Sequence, residues 1–165
     1  MRLYLDTEWA DPEARRLVSL ALIDTSETRQ FYCEIDPLPD QPTEFVRACV
    51  YPHLQRGLWA KPERNFCLGL RNFLHHQQRE SPPLVLATHE ADFALLRYAL
   101  NGFGQNISGG IPPWTPILVT QGDVLGHVET YFGRNPEASK RQHHAMVDAI
   151  ALRWAFEYVV EGSMG

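Results

Sequence analysis

The sequence predicts one α/β domain with a mixed central sheet flanked by helices. Three observations carry that expectation. The chain opens on an apolar run that ends in carboxylates (Leu3-Tyr4-Leu5-Asp6), followed by two strand-like segments around a polar turn. A second, wholly apolar run, Leu84-Val85-Leu86-Ala87, follows a proline pair and has the length of a strand covered on both faces. Segments of helical period separate and follow these runs, the pattern of a sheet sandwiched by helices.

In chain order, residues 3–7 form the buried first strand. Residues 17–23 and 29–35 are rich in aliphatic, aromatic and β-branched side chains, and the polar stretch 24–28 joins them as a meander hairpin. Pro37, Pro39 and Pro42 end the strand region, because proline cannot continue a ladder. A helix is expected over 43–56, where Phe45, Cys49 and Tyr51 or Pro52 fall near helical spacing, with Pro52 ending or kinking it. A second helix covers 62–79, with Phe66, Leu70, Phe73 and Leu74 on one stripe. After the strand at 84–87, residues 91–100 are helical and stop at Gly102 and Gly104. Residues 109–113 form a loop, 114–120 a short extended segment, and about 142–160 the final helix. The stripe of that helix is Ala145, Ala149, Leu152, Phe156 and Val159.

Composition narrows the function classes. With 165 residues, 44% hydrophobic and 21% charged, the chain is neither disordered nor a disulfide scaffold. A net charge of −5 excludes a protein that coats duplex DNA with its whole surface, so any nucleic acid must be met at a local site. Three widely spaced cysteines form no C-x-x-C, acids arrive too early for a secretory leader, and no apolar run spans a bilayer. A soluble, cytoplasmic protein that makes no use of a membrane is expected.

The acids are the informative residues. Asp6 and Glu8 are two apart on one strand, so their side chains leave the same face side by side. Like charges that close need a cation between them, and carboxylate oxygens suit Mg²⁺ or Mn²⁺. The ordinary alternative is a pair of solvated acids at a strand end. Asp92 stands at the start of the helix that follows the second buried strand, where the helix dipole favours an acid in any case. His143 and Asp148 are five residues apart, about 140° around a helix, so they share a face only if His143 lies on the lead-in loop. A solvated helix entry would explain both His143 and His144 without chemistry.

Taken together, D-x-E on the first strand, an acid after a buried strand, and H-x-x-x-x-D opening the last helix resemble the DEDDh (DnaQ-like) 3′–5′ exonucleases. Leu5-Asp6-Thr7-Glu8 matches the first motif, Asp92 the acid of the second, and His143-His144-Ala145-Met146-Val147-Asp148-Ala149 the third. The second motif departs from the family, which often has Asn four positions before the acid, where Thr88 stands here. The short length and the segment Phe45-Val46-Arg47…Tyr51-Pro52-His53-Leu54 are similar to a compact subgroup that includes the polyadenylate-directed RNase AS type.

The resemblance implies an RNase H-like fold and a pair of Mg²⁺ or Mn²⁺ ions, about 3.5–4 Å apart, held by Asp6, Glu8, Asp92 and Asp148. It implies His143 as general base, and hydrolysis from the 3′ end of single-stranded nucleic acid, RNA over DNA, to nucleoside 5′-monophosphates. Homodimers are common among such relatives. Candidate substrate contacts are Thr7, between the two motif acids, and Trp9, placed to stack on a terminal base. Arg134, Lys140 and Arg141, near His143, are candidates for the phosphate backbone. Two other readings compete: a catalytically weak nucleic-acid-binding module of the same fold, and a phosphohydrolase for dinucleotides or small nucleotides. A zinc protein built on His75, His76, His143, His144 and the cysteines is disfavoured, since adjacent histidines point apart and the cysteines lack ligand spacing.

Overall fold

The structure, a computed structural model, describes residues 1–77 and 81–162. Six strands form one mixed sheet in the order β4-β3-β2-β1-β5-β6. β1 (Arg2–Trp9), β2 (Leu17–Asp24) and β3 (Gln30–Ile35) make the expected antiparallel meander. β4 (Ala60–Lys61) pairs parallel with β3 at one edge. β5 (Leu84–Ala87) and β6 (Thr115–Leu118) continue the sheet parallel to β1 on its other side. β6 carries Pro116 and lies at the opposite edge, where a missing N–H leaves no ladder bond unmade.

The strand sequences look apolar throughout because both faces are covered. Leu3, Leu5, Leu20 and Leu22 pack in one layer with Phe66 and Leu70 of α1 (Glu63–Gln77) and Phe93 and Leu96 of α2 (Glu90–Leu100). Tyr4, Ala21 and Ile23 face the other layer, where α5 (Ala145–Gly162) lays Ala145, Ala149, Leu152 and Ala155 against them. Three alanines on that stripe let the helix backbone approach β1 and β2 closely. The stripe is the expected one. Of the helix expected over 62–79, residues 78 and 79 lie outside the described residues.

Two expectations need correction. Residues 43–56 do not form an α-helix: a five-residue π-helical turn (Val46–Val50) runs into 3₁₀ turns at Tyr51–His53 and Gly57–Trp59. Pro52 has no N–H to carry an α-helical ladder forward, and Val46 and Val50 are buried against Ala10 and Val18, with Tyr51 and Leu54 packing partly on the same small cluster. The final helix starts at Ala145 rather than near 142, because His143 has a left-handed backbone (φ 67°) that no α-helix tolerates. The structure also adds α3 (Gly122–Arg134) and the single turn α4 (Pro136–Ser139). The spacing Val124, Val128, Phe132 was the available signal for α3, masked by Gly122, Gly126 and Gly133. Among the described residues, no helix is long and apolar enough to cross a membrane.

Candidate metal centre and cleft

The sheet register opens the site. β1 pairs with β5 only from Arg2 to Tyr4, whereas its pairing with β2 continues to Trp9. Beyond Tyr4 the strand's β5 side is therefore free, and a crevice opens outside the carboxyl ends of two parallel strands, the usual ligand position in open α/β sheets. A cleft of about 590 Å³ lies there.

Asp6 and Glu8 enter the cleft from β1, on the face that carries Tyr4 and therefore toward α5. The register with β2 shifts between Glu8 and Trp9, and Trp9 also lines the cleft. Trp9 packs partly on the α1–α2 layer and stands edge-on to His89, with ring centroids 6.4 Å apart. Asp148 comes from the first turn of α5, where the carbonyl of His144 accepts its backbone N–H. One oxygen of Asp148 accepts the backbone N–H of His143 at 3.0 Å, which pins the left-handed turn. That turn delivers the His143 ring into the cleft, as the lead-in geometry required. One ligand atom each of Glu8, His143 and Asp148 lies within 4.8 Å of the other two.

Asp92 sits at the start of α2 and caps it by accepting the backbone N–H of His89 at 3.2 Å. Its other oxygen accepts the backbone N–H and the hydroxyl of Thr7, the latter at 2.6 Å. Thr7 thus lines the cleft with its hydroxyl already committed, and serves to tie Asp92 to β1 between the two motif acids. Asp92 is thus a helix cap that lies outside the cleft lining, yet close enough to raise the pKa of Asp6 and of Glu8.

The four acids are withdrawn from water and crowd like charge. Burial, then the charges of Asp92, Asp148 and Glu8, holds Asp6 well above the usual carboxylate range. Burial raises Glu8 to about 8 and Asp148 to about 7. Asp92 reaches only about 6, because the Thr7 hydrogen bond offsets part of its burial. Oδ2 of Asp6 and Oδ1 of Asp148 are buried and accept no hydrogen bond. An acceptor left bare in the interior is unfavourable unless something else satisfies it. Oxygen donors with one imidazole suit a hard or borderline divalent ion, so the residues present fit a metal. The His143 imidazole is shifted the other way: burial and then His53 lower its pKa, keeping it neutral near pH 7.

Arg134, Lys140 and Arg141 do not line the cleft. Arg134 ends α3, Lys140 pairs with Glu137 at 2.6 Å on the surface, and Arg141 offers its carbonyl to the His144 N–H. The cleft is completed instead by residues whose roles the sequence did not reveal: Phe45, Glu129, Phe132 and Gln142. Phe45 is 51% exposed and stands edge-on to His143, with ring centroids 4.9 Å apart. The spacing of Phe45 with Cys49 puts it on the stripe of the helix expected over 43–56, and the turns that replace that helix put it in the cleft instead.

Comparison with known families finds no matching family model, and comparison with curated proteins finds no matching relative.

Proposed function

We propose that the protein is a metal-dependent 3′–5′ exonuclease of RNase H-like fold. On this reading it hydrolyses the terminal phosphodiester of single-stranded nucleic acid, RNA over DNA, and releases nucleoside 5′-monophosphates. The observation that carries the reading is the convergence of Asp6, Glu8 and Asp148 on one crevice, with Asp92 close behind it, two buried carboxylate oxygens unpartnered and a neutral imidazole beside them.

Glu8 and Asp148, with Asp6 behind them and Asp92 held by Thr7, are the residues that would hold a Mg²⁺ or Mn²⁺ pair. When bound, such ions polarise the scissile phosphate and neutralise charge that develops on its oxygens. The chain's own residues do the rest. His143, neutral and hinged on its left-handed turn, takes the proton from the attacking water at a ring nitrogen. Trp9 and Phe45 offer aromatic faces to unpaired bases, which selects single strands because a stacked duplex end does not present them.

The cleft wall also favours a second reading of the same chemistry, on dinucleotides or small nucleotides. Among the described residues no Lys or Arg lines it, and its volume is that of a small-molecule pocket. One experiment addresses both. 5′-labelled single-stranded RNA, its DNA counterpart and a labelled dinucleotide are incubated with Mn²⁺, and products are resolved by size. A ladder shortening from the 3′ end of RNA, abolished by EDTA, is expected. Turnover of the dinucleotide alone would transfer the assignment to the smaller substrate, and no hydrolysis of any of the three would overturn the nuclease reading.

A further inference from the structure

Directly behind the candidate base lies a polar cluster that the proposed chemistry does not use. His144 is 1% exposed and stacks on Tyr32, with ring centroids 4.6 Å apart and planes 19° apart. The Tyr32 hydroxyl donates to Glu34 Oε1 at 2.7 Å. Glu34 also accepts the backbone N–H of Gln55 at 2.6 Å and that of Arg56 at 2.9 Å. The circuit closes where Gln55 Nε2 lies 3.2 Å from His144 Nε2. The Gln55 amide nitrogen can only donate, so His144 Nε2 accepts from it. Its Nδ1 is buried without a partner, so the stack on Tyr32, rather than a full set of hydrogen bonds, seats the ring.

We infer that His144 is a positioning residue, which through its seat on Tyr32 fixes the turn that presents His143 and Asp148 to the cleft. The backbone supplies the connection. The His144 carbonyl accepts the N–H groups of Val147 at 2.8 Å and Asp148 at 3.1 Å, so the ring's seat sets where α5 begins. Asp148 in turn holds the N–H of His143, whose φ of 67° is unfavourable for a residue with a Cβ and persists only where its surroundings enforce it. The segment that supplies Gln55 also supplies Phe45, on the His143 ring, and Trp59, whose ring lies 5.8 Å from Tyr32. The irregular chain from 43 to 59 thus fastens both histidines.

The inference rests on the exonuclease reading for its activity arm, and Mn²⁺ binding supplies an arm that does not. Titration calorimetry with Mn²⁺ alone and steady-state turnover of 5′-labelled RNA are measured on the full chain carrying His144→Ala, His144→Phe, Tyr32→Leu or Tyr32→Phe. Residues that orient metal-binding and catalytic groups typically matter by roughly 10- to 100-fold, and His144→Ala is expected to lose that much in kcat and in Mn²⁺ affinity. KM for RNA should stay within about twofold, since the stacking walls are untouched. His144→Phe keeps the stack and should recover most of both losses. If His144→Ala fails to fold, Tyr32→Leu against Tyr32→Phe makes the same comparison from the other ring. Wild-type kcat and Mn²⁺ affinity in His144→Ala, or equal impairment in His144→Phe, would overturn the inference. A wild type that binds Mn²⁺ but cleaves no RNA would sink the exonuclease reading alone, leaving the isotherms to decide the role of His144.

Discussion

Two acids withdrawn from water, on strands one removed in the same sheet, show opposite solutions to burial. Glu34 on β3 has no exposed side-chain surface and is surrounded by donors: the Tyr32 hydroxyl, two backbone N–H groups and the Arg56 guanidinium at 3.4 Å. Asp6 on β1 has like charges for neighbours and an oxygen with no donor at all. Burial alone therefore does not mark a site. The mark is a cluster of buried acids without donors, where either protonation or an outside cation must remove the penalty.

The contrast predicts that the two acids fail in different ways. Asp6→Asn should cost on the order of 10⁴-fold or more in turnover with Mn²⁺ or Mg²⁺, since several kcal/mol of charge stabilisation is lost, while thermal stability in EDTA holds or rises. Retained activity in a 3′-end degradation assay would remove Asp6 from the site. His143→Ala should lose about 10³-fold in kcat, the middle of the range for a general base, and keep Mn²⁺ affinity by calorimetry. A matching loss of Mn²⁺ affinity would make His143 a ligand beside Glu8 and Asp148 instead. Glu34→Leu is the reverse case. It strands the donors that converge there and should destabilise the fold by about 3 kcal/mol in denaturant titration, whether or not divalent ions are present. Phe45→Ala touches neither acid and should raise KM for single-stranded RNA by about tenfold, the worth of one stacked base, and lower kcat less than His143→Ala does, since it only frees the His143 ring.

The smallest expected effect is the most direct reading of the uncompensated charge. Glu8, Asp148, Asp92 and Asp6 all have carboxyl pKa values raised by burial in the folded state. Their contribution to stability is present below the unfolded carboxyl range near pH 4, and is lost as pH rises through folded values of about 6 to 8. His143 and His144, with lowered pKa values, act oppositely, but only below the ordinary imidazole value of 6.5. Between pH 6.5 and 8 the carboxylates act alone, so in EDTA the melting temperature should fall by about 3–6 °C, and Mn²⁺ should restore it at pH 8. A melting temperature flat across that window would mean that the four acids are solvated rather than crowded.

The comparison also shows what each level of description could reach. The α/β sheet with its leading meander was legible because apolar runs at 3–5 and 84–87 have only one way to be buried, between two layers. The α5 stripe was legible for the same reason, and so was the pairing of Asp6 with Glu8, since strand alternation is a local property. Local pattern therefore names the candidate side chains, and the faces on which some of them stand. The tertiary structure decided everything that depends on chain segments meeting. It replaced the helix expected at 43–56 by turns that bring Phe45 onto His143 and Gln55 onto His144. It assigned Thr7 to Asp92, and it left Arg134, Lys140 and Arg141 outside the cleft. Hydrophobic period is written into neighbouring residues, whereas which oxygen finds a donor depends on contacts between residues as far apart as Thr7 and Asp92, which only the packed chain creates.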